Sequence, residues 1–354
     1  MLIPLLDLSF LFFFSLATLF TMRKFAKEIG LVDKPNARKL HSGAIPLIGG
    51  ISICISLLYF LLNNPNILPS TELYAACVVI LVGIGALDDK FDLSFKLRFA
   101  IQAALSVAMM VVGGIELNTI GDILGTGEVV TLGWFGYLVT IIAVVGAINA
   151  FNMVDGIDGL LGGLSIVTFG GLGIMLNHDG QHNLAYICLV LVVIITPYIL
   201  LNLGFFGKKR KVFMGDAGSM LIGFTVIWLL LLSSQNGSKP PLRPVTALWL
   251  IAVPLMDMAA IMFRRVKRGD SPFKPDREHL HHIFQRLGLS PTQTLIVICM
   301  IATLYAGIGI YAEMIDIPEY VMLYVFLFCF SIYLTLLSNI WKITAYIRKH
   351  YILD

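Results

Sequence analysis

The sequence predicts an all-α, polytopic integral membrane protein, and three observations carry that prediction. Of 354 residues 58% are hydrophobic and only 13% charged, with a mean hydropathy of +0.87, far from the averages of a soluble domain. Eleven apolar stretches begin near Leu2, Leu47, Leu73, Leu97, Trp134, Leu160, Leu184, Ala217, Val245, Leu295 and Tyr320, most of them about 15 to 21 residues long, close to bilayer-crossing length. Backbone groups in lipid must hydrogen-bond within their own segment, so the stretches are read as about eleven transmembrane helices forming a single domain over residues 1–354.

The links between the stretches sort by charge. Of the 25 lysines and arginines, 23 fall in alternate links or at the C-terminal end, and only Lys239 and Arg243 fall opposite. The positive-inside rule then sets a periplasmic N-terminus and a cytoplasmic C-terminus. The basic residues follow the first stretch, and no small-residue cleavage site is evident, so that stretch is read as a retained anchor. Cys54, Cys77, Cys188, Cys299 and Cys329 lie inside apolar runs with no metal-ligand spacing and are read as packing residues. Topology accounts for the basic residues, so the net charge of +3 argues for no nucleic-acid partner. On the outer side residues 63–71 and 177–183 are short polar links, and residues 115–133 alternate loosely around glycines, as a small hairpin would.

Five cytoplasmic links, 23–46, 88–98, 149–159, 204–219 and 264–291, hold the chemistry-bearing residues. Asp88 and Asp89 end an apolar run, where the helix macrodipole disfavours anions by about 0.3 to 1 kcal/mol. With Asp92 close behind they need a cation nearby: Lys90 with solvent, or a divalent ion. Asn149, Asn152, Asp155 and Asp158 recur every three residues, which on one helical turn stacks four oxygen-bearing side chains. Such hard ligands suit magnesium, although Asp155 and Asp158 could equally cap the next helix. Gly156 and Gly159 would let a ligand approach the backbone.

Asp216, between Gly215 and Ala217-Gly218-Ser219, precedes another run; a phosphate at that helix N-terminus is one reading and a simple cap is another. His279, His281 and His282 follow Asp276-Arg277-Glu278 in the most basic link. Their spacing cannot put all three on one helical face and no cysteine is near, which argues against zinc; with Arg277 and Arg286 they suit anion recognition or contact with lipid headgroups. Asp257 interrupts an apolar run and should face protein, first as a structural partner and second as a substrate contact.

Carboxylates, basic residues and histidines on one membrane face make a kit for magnesium-dependent phosphoryl transfer. A proton-coupled transporter would gather its acids near the midplane, and a lipid-binding scaffold would not need Asp88, Asp89, Asp155, Asp158 and Asp216 together.

The chain resembles the polyprenyl-phosphate N-acetylhexosamine-1-phosphate transferases (glycosyltransferase family 4). Residues 30–41 with Pro46-Leu47-Ile48-Gly49-Gly50, the Asp88-Asp89 cluster, residues 149–159, residues 213–219 and residues 271–282 carry the resemblance, in the family's order. The last of these is similar to the form found in the bacterial undecaprenyl-phosphate GlcNAc-1-phosphate branch. The resemblance implies attack by undecaprenyl phosphate on the β-phosphate of UDP-GlcNAc, releasing UMP, at a site in the bacterial inner membrane that faces the cytoplasm. Such a product starts enterobacterial common antigen and O-antigen chains of lipopolysaccharide.

The resemblance also implies roles by position. Asp88 and Asp89 are catalytic, against the lipid phosphate. Asn152 and Asp216 hold Mg2+, with Mn2+ as an alternative ion. Lys39, Lys96, Arg98, Asp155, Asp158, Arg277, His279, His281 and His282 bind substrates, Asp158 at the uracil. A homodimer is compatible with this reading, as are another UDP-N-acetylhexosamine donor and a covalent aspartyl intermediate. A phosphate monoester with its second pKa near 6 is already mostly a dianion at about pH 7, so a base is barely needed. Asp88→Asn is therefore expected to keep activity above about pH 7 and to lose more below it.

Overall fold

The computed structural model describes residues 2–33, 43–235, 237, 240–272 and 278–340. Its helices are α1 (Leu2–Ile29), α2 (Gly49–Asn63), α3 (Thr71–Phe91), α4 (Phe95–Val111), α5 (Phe135–Met153), α6 (Leu160–His178), α7 (His182–Asn202), α8 (Gly215–Gln235), α9 (Pro244–Leu250), α10 (Ala252–Lys267), α11 (Leu280–Arg286), α12 (Pro291–Met314) and α13 (Glu319–Ser338). Two short antiparallel strands, β1 (Val32–Asp33) and β2 (Ile45–Pro46), pair beside the end of α1.

Each of the eleven apolar stretches is helical, yet they are not eleven equal spans. Among the described residues eight helices are long and apolar enough to cross a membrane, and α9 with α10 makes a ninth only if a pair bent by 84° counts as one. Helix α2 has 15 residues and α4 has 17, with Lys96 and Arg98 in its first turn, so neither reaches full spanning length. Hydropathy alone cannot separate such short helices from full spans.

Helix α8 is the axis of the bundle, its span wholly buried, whereas α1 and α13 bury only 17% of theirs and turn the rest outward. Between membrane helices small residues let backbones approach closely. A Cβ on Gly85 of α3 would lie 2.4 Å from Cα of Ala217 in α8, so only glycine permits this crossing. The crossing brings the C-terminal end of α3 against the N-terminal end of α8. Buried hydroxyls add hydrogen bonds across helices, as between Tyr74 and Thr225 at 2.7 Å.

The expected hairpin is present: Ile120 N–H donates to Val130 O at 3.1 Å and Leu132 N–H to Asn118 O at 2.8 Å, around an antiparallel bridge between Thr119 and Thr131. The Gln235 side chain at the end of α8 accepts from the Asn118 and Thr119 amides, both at 3.0 Å. Nearby Arg243, one of the two basic residues expected on the outer side, donates from Nε to both carboxylate oxygens of Glu313 at 3.0 Å. The five cysteines are free and packed within the helices.

Candidate active site

At the opposite end of the bundle from that hairpin the C-termini of α3 and α5 meet the N-terminus of α8. Asp88 occupies the last turn of α3 with its side chain 3% exposed. Its Oδ1 accepts from Leu93 N at 2.7 Å and its Oδ2 from Arg98 Nη1 at 2.5 Å. The cation beside Asp88 is therefore Arg98 of α4, while Lys90 lies over the Phe91 ring, 5.2 Å from its centroid. The same Arg98 nitrogen reaches Asp216 Oδ2 at 3.2 Å.

Asp89 crosses to the N-terminus of α8, where it accepts from the amides of Asp216 at 2.9 Å and Ala217 at 3.4 Å. Those amides, one expected seat for phosphate, already hold a carboxylate, the same charge sign satisfying the same helix end. Asp216 sits in the first turn of α8 rather than before it. Its Oδ1 accepts from Asn152 Nδ2 at 2.7 Å, and Asn152 also donates to Ser219 Oγ at 2.8 Å.

The three-residue periodicity from Asn149 to Asp158 does not form one stacked face. Helix α5 ends at Met153, so only Asn149 and Asn152 share it, and Asp155 and Asp158 lie in the turn that follows. Asn149 turns toward Gln102 of α4, at 3.2 Å. Neither aspartate caps α6, whose N-cap is Gly159 with no side-chain bond. Asp158 pairs instead with Lys211. Asn202, at the end of α7, ties this turn down by accepting from Gly159 N at 2.5 Å and donating to Val212 O at 2.8 Å.

These elements enclose a cavity of about 730 Å³. Among the described residues seven carboxylates line it, Asp33, Asp88, Asp89, Asp92, Asp155, Asp158 and Asp216, against one cation, Lys90. Enclosure by protein, then the charges of Asp216 and Asp158, push the Asp155 carboxyl up to about 7. Its side chain nonetheless opens on the cavity, and water there works against the enclosure.

The histidine segment reaches the cavity from the far side. His279 and His281 stack with centroids 5.6 Å apart and planes 8° from parallel, and His281 lies 4.2 Å from His282, centroid to centroid. His281 is 2% exposed and faces Gly156 so closely that a Cβ there would lie 2.1 Å from Nε2. What approaches Gly156 is thus a histidine ring. Burial first, then the neighbouring His282 and His279, lower His281 to about 3, so it is a neutral imidazole at working pH. Basic residues at the end of α10 hold the preceding link: Arg264 and Arg268 pair with Glu278 at 2.9 and 2.8 Å, and Arg265 donates to Pro272 O at 2.6 Å.

Asp88, Asp89, Asn152, Asp155, Asp158 and Asp216 thus line one cavity, Arg98 joins it through two of them, and His281 reaches its wall. Lys96 is exposed on α4 and is not part of the cavity wall, while Lys39 and Arg277 lie outside the described residues. Lys211, Asn202 and Asp33 were not foreseen. Lys211 counts in the sequence only as a topological charge, and Asn202 is the last, polar residue of an apolar run, a faint signal of a helix end that faces a site.

Among the described residues no group of three or more histidine, cysteine, aspartate or glutamate side chains forms a ready-made metal cage. The donor set still fits magnesium, which takes one or two protein carboxylates and completes its shell with water and substrate phosphate. Asp216 and Asn152 are hard oxygen donors on two facing helices, in a cavity with a surplus of negative charge.

Residues 72–234 match the model of the glycosyl transferase family 4. The chain is 53% identical over 345 residues to an undecaprenyl-phosphate alpha-N-acetylglucosaminyl 1-phosphate transferase of Yersinia pestis, covering 97% of this chain and 94% of that protein. An Escherichia coli K12 protein of the same name is 52% identical over 344 residues, 97% and 93% of the two chains. One from Haemophilus influenzae is 50% identical over 333 residues, 94% and 93%. The chain belongs to this transferase family. The family model covers α3 to α8, where the acidic residues lie; the histidine segment lies beyond it, within the span shared with the full-length relatives.

Proposed function

We propose that this membrane enzyme transfers GlcNAc-1-phosphate from UDP-GlcNAc to undecaprenyl phosphate, giving undecaprenyl-diphosphate-GlcNAc and UMP, with Mg2+, at the cytoplasmic face of the inner membrane. The observation that carries this reading is the convergence of Asp88, Asp89, Asn152, Asp155, Asp158 and Asp216 on one cavity, with Arg98 and Lys211 paired to two of its carboxylates. The relatives' names favour this donor sugar and acceptor, and the positive-inside pattern favours the cytoplasmic face. As a first membrane step the product would feed O-antigen or enterobacterial common antigen assembly.

The obstacle to such a reaction is bringing a phosphate dianion up to an anionic diphosphate, and each charged residue has a part in lowering it. Asp88, with both oxygens bonded, holds the Arg98 guanidinium at the cavity edge, where it can meet the acceptor phosphate. A small crevice lined by Phe95, Phe99 and Gln102 of α4 and by Asn149 of α5 lies beside Arg98, where the exposed Phe95 and Phe99 rings give an apolar chain a surface to approach along. Asp89 fixes the start of α8 and so the direction of Asp216. Asn152 and Asp216 would hold Mg2+, which when bound supplies charge neutralisation between the phosphates. His281, neutral and packed against Gly156, backs the cavity wall at that glycine, where the donor would lie.

Because Asp88, Asp89, Asp158 and Asp216 are engaged in holding cations and amides, direct displacement is favoured over a covalent route through any of these four. The test is magnesium-dependent UMP release from UDP-GlcNAc on adding undecaprenyl phosphate to the purified chain. No release with both substrates present overturns the reading, and exchange of labelled UMP into UDP-GlcNAc without lipid replaces displacement by a covalent route.

A further inference from the structure

Asp257 lies in α10, on the apolar wall of the bundle, and is 1% exposed. A buried carboxylate is costly unless its lone pairs have partners. Its partners come from two other helices. Oδ2 faces Nδ1 of His279 at 2.9 Å, and Oδ1 accepts from the Leu280 amide at 3.1 Å and from the Tyr333 hydroxyl at 2.7 Å. His279 and Leu280 are the N-cap and first residue of α11, and Tyr333 belongs to α13. One carboxylate therefore pins the start of the histidine helix to two neighbouring helices.

Helix α11 needs such an anchor. It has seven residues, too few to be stable alone, and its N-cap makes no side-chain cap bond. Its position must come from tertiary contacts. The anchored His279 ring stacks on His281, whose Nε2 has no hydrogen-bond partner among the described residues and abuts Gly156 on the cavity wall. Placement passes from Asp257 through two rings to the cavity.

We propose that Asp257, together with Tyr333, is a positioning residue for donor binding: it fixes the height of His279, and through that ring the place of His281 behind Gly156, the stretch of cavity wall that a nucleotide-sugar diphosphate would meet. This rests on the reading in which the cavity takes UDP-GlcNAc. A carboxylate only accepts, so Nδ1 of His279 is the donor of this bond. An asparagine in its place removes the charge behind that bond at nearly constant volume.

The experiment uses the full chain in lipid nanodiscs, wild type beside Asp257→Asn and Tyr333→Phe. Thermal unfolding, KM for each substrate, kcat and calorimetric binding of UMP are measured. Asp257→Asn should raise KM for UDP-GlcNAc about tenfold, the scale of losing one hydrogen bond to a charged group. UMP binding should weaken in parallel, Tyr333→Phe should give a smaller change of the same kind, and KM for undecaprenyl phosphate should stay unchanged. An unchanged donor KM in both variants, an equal rise for both substrates, or a loss confined to kcat overturns the proposal. Should Asp257→Asn fail to fold, Tyr333→Phe decides by the same criteria. A wild-type chain that releases no UMP overturns the transfer reading itself and this proposal with it.

Discussion

The two sides of the cavity are built differently. On the acidic side, backbone fit comes first: α3 and α8 touch at Gly85 and Ala217, and the carboxylates then satisfy helix ends and one another's cations within that fixed frame. The histidine side hangs on side chains. A seven-residue helix is held by one buried aspartate from behind and by Glu278 paired with Arg264 and Arg268 at its entry. Packing between long helices sets the acidic side, whereas the short histidine helix adds to the packing of Ile283 against Ala260, Ile261 and Leu337 a dependence on a few side-chain bonds. Damage to the first should lower chemistry and stability together, and damage to the second should mainly change donor affinity.

The largest expected effect is on the acidic side. Arg98→Ala leaves Asp88 buried without its cation, costing roughly 3 kcal/mol of stability. UMP release should fall on the order of a hundredfold, because a charge aimed at the reacting phosphates is gone. Thermal unfolding and turnover check both, and an intact unfolding temperature would mean that the pair is not part of the frame. Asp88→Asn comes next, with a loss of about tenfold. Both Asp88 oxygens are already bonded, to Leu93 N–H and Arg98, so the loss should be uniform across pH, in place of the acid-weighted loss expected from sequence. A pH–rate profile decides, since an effect growing below about pH 7 returns Asp88 to the role of proton acceptor.

On the histidine side Gly156→Ala places a methyl 2.1 Å from His281 Nε2, and the ring must retreat. A several-fold rise in KM for UDP-GlcNAc with unchanged unfolding temperature is expected; equal loss of stability would show the two sides to be one frame. The smallest effect concerns Asp155. Its folded pKa is raised from 3.8 to about 7, so folding takes up a proton, and the stability this group contributes is present below about 4 and is lost as pH rises toward 7. Asp155→Asn should remove that part of the decline in thermal stability between about pH 4 and 7, and an unaltered slope would mean that water in the cavity cancels the enclosure.

Much of this site was legible before any coordinates, because its residues are polar interruptions in an apolar chain and each must have a reason to be there. Asp88, Asp89, Asn152, Asp158 and Asp216 were identified that way, and Asp257 was expected to face protein. Partners were not legible. Lys90 is adjacent in sequence to Asp89, yet Arg98 supplies the cation beside Asp88; Asp158 meets Lys211; the α8 amides hold Asp89. The Asn149 to Asp158 spacing read as one helical face because periodicity carries no information on where a helix stops, and α5 stops at Met153.

From the sequence alone follow the class, the helical runs, the charge asymmetry and the family, since all depend on local composition and on order along the chain. Tertiary structure alone decided which carboxylate meets which cation, that α8 is the axis, and that Asp257 reaches His279 and Tyr333. Such pairings depend on helix crossings set by the contact of single glycines with distant backbones, and a linear pattern of hydrophobicity does not specify how its helices cross.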